Sequence, residues 1–261
     1  MLRRRKKSPK PNRRPAAGPA PAPQSRRRVR PDARIPPELL IDRPRPGAAV
    51  VLVTGFEPFG GETTNPSWQV AEMLPGSVAG FSVAKLRVPC EFRRAIEVVA
   101  QAIERHEPAL VVCLGQAGGR SRIGVERVAI NVDDARAPDN AGRQPVDEPI
   151  AVGGPPAYFA TLPVKAMVAG MRAAGVPVEL SNTAGTYVCN HLMYGVLHFL
   201  AGSGRSARAG FLHLPYSEAQ VLDKAGLAAM SLATMARGIE AAIAAAVAHA
   251  SDILVSEGTM D

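Results

Sequence analysis

Cys189 lies where a thiol can be recruited for chemistry. It sits in SNTAGTYVCNHLMYG, Ser181 to Gly195. The preceding VPVEL reads as a short buried strand and Thr183 to Thr186 as a tight loop, while Val188, Leu192, Val196 and Leu200 recur at helical spacing. Cys189 is therefore expected in the first turn of a helix that leaves a strand. Unpaired backbone N–H groups and the helix dipole there are expected to push the thiol toward thiolate. The competing reading is a small buried hydrophobe, the commonest fate of a free cysteine.

A cysteine nucleophile needs a base, and five histidines compete for that role. His106 follows a surface helix, and His249 ends the last one. His191 and His198 share the helix of Cys189, at i+2 and i+9, which points the first away and puts the second out of reach. His213 falls late in a strand, just before Pro215, where the carboxyl edge of a sheet should be. It reads either as the base or as a satisfied core histidine.

The elements that must position these residues alternate. Strands are expected at Val50–Gly55, Phe81–Pro89, Ala109–Gly115, Val125–Val132, the VPVEL segment and Ala209–Pro215. Helices are expected at Pro66–Leu74, Glu91–Arg105, Pro156–Ala174, after Cys189, and from Ser217 to about His249. This order predicts a single α/β domain, a mostly parallel twisted sheet with helices on both faces. Ligands of such sheets gather beyond the carboxyl ends of the strands, where the loops after Val53, Leu114 and Leu180 are expected.

Composition narrows the class. The apolar fraction of 46% suits a globular core, and no apolar run is long enough to span a membrane. Cys90, Cys113 and Cys189 make an odd count without a CxxC pair, against a disulfide framework or a structural zinc site and in favour of a reducing cytoplasm. The net charge of +8 is concentrated at one end: residues 1–48 carry 15 basic and 3 acidic residues, leaving 16 basic and 20 acidic elsewhere. Residues 1–48 read as a disordered, Pro- and Arg-rich extension, residues 49–250 as the catalytic domain and 251–261 as a flexible tail. The extension has no apolar h-region of a secretory signal. The glycines at 60–61 and 118–120 fit neither phosphate-loop pattern, and no His/Cys/Asp/Glu spacing suggests a metal, so no cofactor is expected.

Five blocks then carry a resemblance: Thr54–Trp68 (TGFEPFGGETTNPSW), Leu114–Arg120 (LGQAGGR), Glu126–Ile150 (ERVAINVDDARAPDNAGRQPVDEPI), the Cys189 segment and GFLHLP around His213. Over roughly Ala49 to Leu222 the chain resembles pyroglutamyl peptidase type I, a cysteine peptidase family. The resemblance implies catalytic residues Glu126, Cys189 and His213, with Glu126 orienting the imidazole. It implies hydrolysis after an N-terminal pyroglutamyl residue of peptides through an acyl-enzyme on Cys189. It also implies that Phe56 and Phe59 flank the lactam ring, that the amides of Asn65 and Gln116 lie near its polar edge, and that the protein forms a homotetramer. Read alone, the two phenylalanines are equally ordinary core, and Asn65 an N-cap for the helix opening at Pro66. Arg136 either contacts substrate, braces the site or makes a surface ion pair. Two rivals stand beside this reading: an acyl hydrolase acting on another small lactam or amide, and a nucleic-acid-associated protein recruited by the basic arm. The arm has no aromatic residue to stack on bases, which weighs against nucleic acid as a partner.

Overall fold

The structure, a computed structural model, describes residues 47–258. The basic extension expected over 1–48 thus falls almost wholly outside the described residues. Nine strands and five α-helices follow in order: β1 (Val50–Phe56), α1 (Pro66–Met73), β2 (Ser77–Val78), β3 (Phe81–Val88), α2 (Arg94–His106), β4 (Leu110–Gln116), β5 (Ile123–Glu126), β6 (Val128–Ile130), β7 (Ala157–Phe159), α3 (Val164–Ala173), β8 (Val178–Ser181), α4 (Val188–Ser203), β9 (Arg208–Leu214) and α5 (Leu232–Ala248). Seven strands form one sheet in the order β2-β3-β1-β4-β9-β5-β8, and β6 pairs only with β7.

The central strands are apolar on both faces, as a sheet covered on both sides requires. Val51 and Val53 of β1 face α1, α3 and α5 with Trp68, Met167, Met171, Met235 and Ile239. Val50 and Leu52, the alternate positions, face α2 and α4 with Val98, Ile103, Leu192 and Val196. The predicted stripe of α4, Val188, Leu192, Val196 and Leu200, is buried along its length.

The mostly parallel expectation holds for β3-β1-β4-β9 and for β5-β8. However, β5 runs antiparallel to β9, so β8 does too. The loop after Leu180 therefore does not leave from the carboxyl edge shared by β1, β4 and β9. Cys189 is at that edge because α4 leads through only four residues into β9, which puts the start of α4 near the carboxyl end of β9.

Three further expectations are corrected. The strand expected over Val125–Val132 is two, β5 in the main sheet and β6 in the small one, with Arg127 between them donating its N–H to Ser181 O at 2.8 Å. The helix expected from Pro156 starts at Val164, because Pro163 fixes its start and the Pro155-Pro156 pair favours extended backbone, seen as β7. The helix expected from Ser217 is a short 3₁₀ turn, Glu218–Val221, and then α5. Gly226 between them has φ +78°, and Ser231 caps α5 by accepting from Thr234 N–H at 3.1 Å. Residues 251–258 run beside α3: the Asp252 carboxylate accepts from Lys165 and Ala166 N–H at 2.9–3.0 Å, and Arg172 pairs with Glu257.

Candidate active site

Two glycines and a change of strand direction bring the chemistry together. His213 on β9 is level with Gly115 on β4 and with Gly124 on β5. Glu126, two residues along β5, reaches diagonally so that Oε1 lies 2.7 Å from His213 Nδ1. Glu126 is fully buried and His213 nearly so. On the other side Gly115 has no side chain, and the space is shared by the Phe211 ring and the thiol: a Cβ there would stand 2.6 Å from Phe211 Cζ and 2.9 Å from Cys189 Sγ. The nucleophile candidate thus rests over the residue paired with His213, beside the Phe211 ring, whose centroid is 4.9 Å from that of the imidazole. The structure brings Glu126, His213 and Cys189 to one place.

The helix-start argument predicted an acidic thiol, and the surroundings reverse it. Burial pushes the Cys189 thiol up to about 12, the Glu126 carboxylate adds to that, and Arg120 pulls the other way. Cys113 adds a smaller upward push. These surroundings oppose the thiolate that the helix start was expected to favour. Cys90 and Cys113 are buried and raised by the same desolvation, Cys113 to about 12.

Two loops wall the site. The Thr186–Tyr187 start of α4 is strapped to the long polar loop after β6: Thr186 Oγ1 donates to Asp134 O at 2.7 Å and Tyr187 Oη to Pro138 O at 3.0 Å. Asn190, one residue past the cysteine, clamps the backbone of Ile130 and Val132 with three hydrogen bonds. Asn140 crosses from that loop to Glu57 and Pro58, between the two candidate phenylalanines. Phe59 is half-buried and faces Tyr187, with centroids 6.1 Å apart. Phe56 is only 2% exposed and packs against Phe211 at 6.4 Å.

The remaining candidates divide. The Asn65 amide is consumed by the fold: Oδ1 accepts from Ser67 N–H and Oγ–H at 3.0 and 2.7 Å, and Nδ2 donates to Glu57 O at 3.0 Å. It is 2% exposed and serves as the N-cap of α1. Gln116, at the end of β4, accepts from Gln220 Nε2 at 3.0 Å through Oε1, leaving its own N–H donors for a ligand. Arg136 is exposed and makes no ion pair or hydrogen bond among the described residues. His191, the residue expected to point away, is buried with Nδ1 2.8 Å from Asp133 Oδ2, and Nε2 accepts from Arg93 N–H at 2.7 Å. Sequence reasoning missed Arg120, whose Nη1 is 2.8 Å from Glu126 Oε1, and Tyr187. The GGR motif had drawn notice only for its glycines. No group of three or more metal-ligating side chains occurs among the described residues, and no described helix is long and apolar enough to cross a membrane.

With this geometry in place, comparison with known proteins is decisive. The profile of the pyroglutamyl peptidase family matches residues 49–249. The chain belongs to the pyroglutamyl peptidase family. A Streptomyces coelicolor protein named pyrrolidone-carboxylate peptidase is 53% identical over 212 residues, covering 80% of this chain and 97% of that protein. Its namesake from Erwinia tasmaniensis is 49% identical over 209 residues, covering 80% and 97%. The crystal structure of pyroglutamyl peptidase I from Bacillus amyloliquefaciens superposes with a TM-score of 0.78 at 42% identity, over 80% of this chain and all of that one. The family's matched region contains all the candidate residues described above.

Proposed function

We propose that this chain is a cysteine exopeptidase that hydrolyses the amide bond after an N-terminal pyroglutamyl residue. The observation that carries the reading is the 2.7 Å bond from His213 Nδ1 to Glu126 Oε1, with the Cys189 thiol lodged over the glycine paired with that histidine. Glu126 holds the ring so that Nε2 is the working nitrogen, and it stabilises the imidazolium that forms. His213 takes the Cys189 proton as sulfur attacks the pyroglutamyl carbonyl carbon. The tetrahedral oxyanion is met by N–H groups at the start of α4, where His191 N–H to Tyr187 O is the first intrahelical bond and the preceding donors make no hydrogen bond among the described residues. The proton passes from His213 to the departing amine as the C–N bond breaks, leaving a thioester. Water, deprotonated by His213, attacks the thioester and frees pyroglutamate and the thiol.

Phe59 and Tyr187, with Phe56 behind, offer apolar faces to the lactam ring, and the Gln116 amide offers donors to its carbonyl. The reading extends to a cytoplasmic homotetramer, supported by three unpaired cysteines and by Ile130, Val152 and Phe159 exposed around the small sheet. It also makes residues 1–48 dispensable: a chain truncated to begin at Ala48 keeps kcat/KM, and a collapse on truncation would give the extension a role in the site or in assembly.

The direct test compares fluorogenic pyroglutamyl and prolyl amides. Proline carries an ammonium where pyroglutamate has a neutral lactam and a further carbonyl. Each unpaired buried polar group costs about 1–3 kcal/mol, so discrimination of about a hundredfold or more is expected. Comparable kcat/KM for the two would leave an acyl hydrolase of another specificity. Cys189→Ser abolishes turnover, while Cys90→Ser and Cys113→Ser retain most of it.

A further inference from the structure

Glu126 is a fully buried carboxylate, and a buried charge is tolerated only when paired and hydrogen-bonded. His213 supplies one donor to Oε1, and the other comes from Arg120, which follows β4 in the GGR loop. Its Nη1 lies 2.8 Å from Glu126 Oε1, and Nη2 lies 3.4 Å from the backbone oxygen of Thr183, in the loop that leads into α4. One planar side chain therefore joins the acid to the segment that delivers Cys189. A lysine, with a single nitrogen, could not hold both ends.

The sheet makes room for this bridge at one residue. Gly124 stands directly opposite His213 on β5, and a Cβ there would fall 2.4 Å from Arg120 Nη1 and 3.3 Å from Glu126 Oε1. Its φ is not in the left-handed region, so an added Cβ would act by displacing the guanidinium and not by straining the backbone. The Arg120 side chain is 28% exposed and its guanidinium reaches inward over this glycine.

We infer that Arg120 is a positioning residue of the active site, which acts through Glu126 to hold the Glu126–His213 pair in register with the Cys189 loop, and that Gly124 is the gap that lets it do so. The charges around Cys189 agree in sign. The Glu126 carboxylate opposes thiolate formation and Arg120 favours it, with Cys113 a smaller opposing group. Removing the guanidinium leaves the carboxylate's effect uncompensated.

This inference rests on the peptidase reading, and its test separates the two. With a pyroglutamyl amide as substrate, Arg120→Met should lower kcat about ten- to a hundredfold, the loss expected for a charge-assisted hydrogen bond, with KM within about twofold. Arg120→Lys should recover part of it. Gly124→Ala, which keeps the charge but displaces it, should act like Arg120→Met and covers the case in which that variant does not fold. In a Glu126→Gln background the Arg120→Met loss should shrink to within about twofold. Iodoacetamide at pH 7 should label Cys189 about two- to fivefold more slowly in Arg120→Met. A loss that appears in KM alone, or that multiplies fully with Glu126→Gln, would overturn the inference. An unaltered enzyme without turnover would instead refute the peptidase reading, and the labelling rates would still decide the part about Arg120.

Discussion

The molecule holds two buried histidine–carboxylate pairs of nearly equal geometry. His213 and Glu126 are 2.7 Å apart; His191 and Asp133 are 2.8 Å apart, and His191 lies on the very helix that carries Cys189. They differ at the far nitrogen. His191 Nε2 accepts the N–H of Arg93, a residue held at φ +65°, so both ring nitrogens serve the fold and no proton can be relayed. His213 makes no second hydrogen bond among the described residues, and its strand neighbour Gly115 leaves the adjoining space to a thiol. A histidine–carboxylate pair becomes a catalytic pair when the distal nitrogen is left for a substrate or nucleophile. Proximity to the nucleophile along the chain counts for nothing.

The contrast is broken or sharpened most severely at the histidines. His213→Ala should lower kcat about a hundred- to ten-thousandfold in the folded protein. His191→Ala should retain most of kcat in the folded fraction but lose about 3 kcal/mol of stability in urea titration, because Asp133 is left buried without its partner. If His191→Ala abolished turnover in protein still folded, the roles assigned to the two pairs would be wrong. The carboxylates follow with a smaller effect. Glu126→Gln should cut kcat about a hundredfold or more at nearly constant KM, whereas Asp133→Asn should act on stability alone. The Glu126→Gln and His213→Ala losses should be strongly non-additive, and additive losses would mean that the two residues act separately.

The next effect is one of pH. With the Cys189 thiol raised to about 12, the thiolate fraction is small at neutrality and grows about tenfold per pH unit. Iodoacetamide labelling of Cys189 should therefore rise between pH 7 and 9 without reaching a plateau. A plateau at neutral pH would show a resting thiolate–imidazolium pair instead of a neutral one. The smallest effect is on alkaline stability. Cys113, raised from 9.0 to about 12, keeps its proton in the folded chain after the unfolded chain has lost it. Cys113 alone should lower folding stability by up to about 1.4 kcal/mol per pH unit above pH 9, beside like contributions from Cys90 and Cys189, and Cys113→Ala should reduce the slope by that amount.

Much of this site is legible in residue types and spacing, and the exceptions have physical reasons. Cys189 at a helix start and His213 late in a strand follow from periodicity, because α4 and β9 are long enough to display one. Glu126 is not legible that way, since a glutamate in an alternating strand reads as solvent-facing. It is buried because β5 lies between β9 and β8 and turns this face toward the site. Arg120 hides in a glycine-rich loop whose glycines attract attention first. The acidity expected of the thiol fails because a helix terminus is a weak source of potential beside desolvation and a buried carboxylate a few residues away in space. Asn65 caps α1 through Ser67, as one of its two readings expected. The helix boundaries went astray at Pro163 and Gly226, where single residues override a favourable apolar pattern.

The most direct measurement is a rapid-quench experiment with a pyroglutamyl coumarin amide, followed by peptide mass spectrometry. A pyroglutamyl thioester should accumulate on the peptide containing Cys189 before steady state, and it should be absent from Cys90 and Cys113 and from the His213→Ala variant. Turnover at the full rate with Cys189 blocked, or an acyl group recovered on any other residue, would contradict the assignment of Cys189 as the nucleophile served by His213 and Glu126.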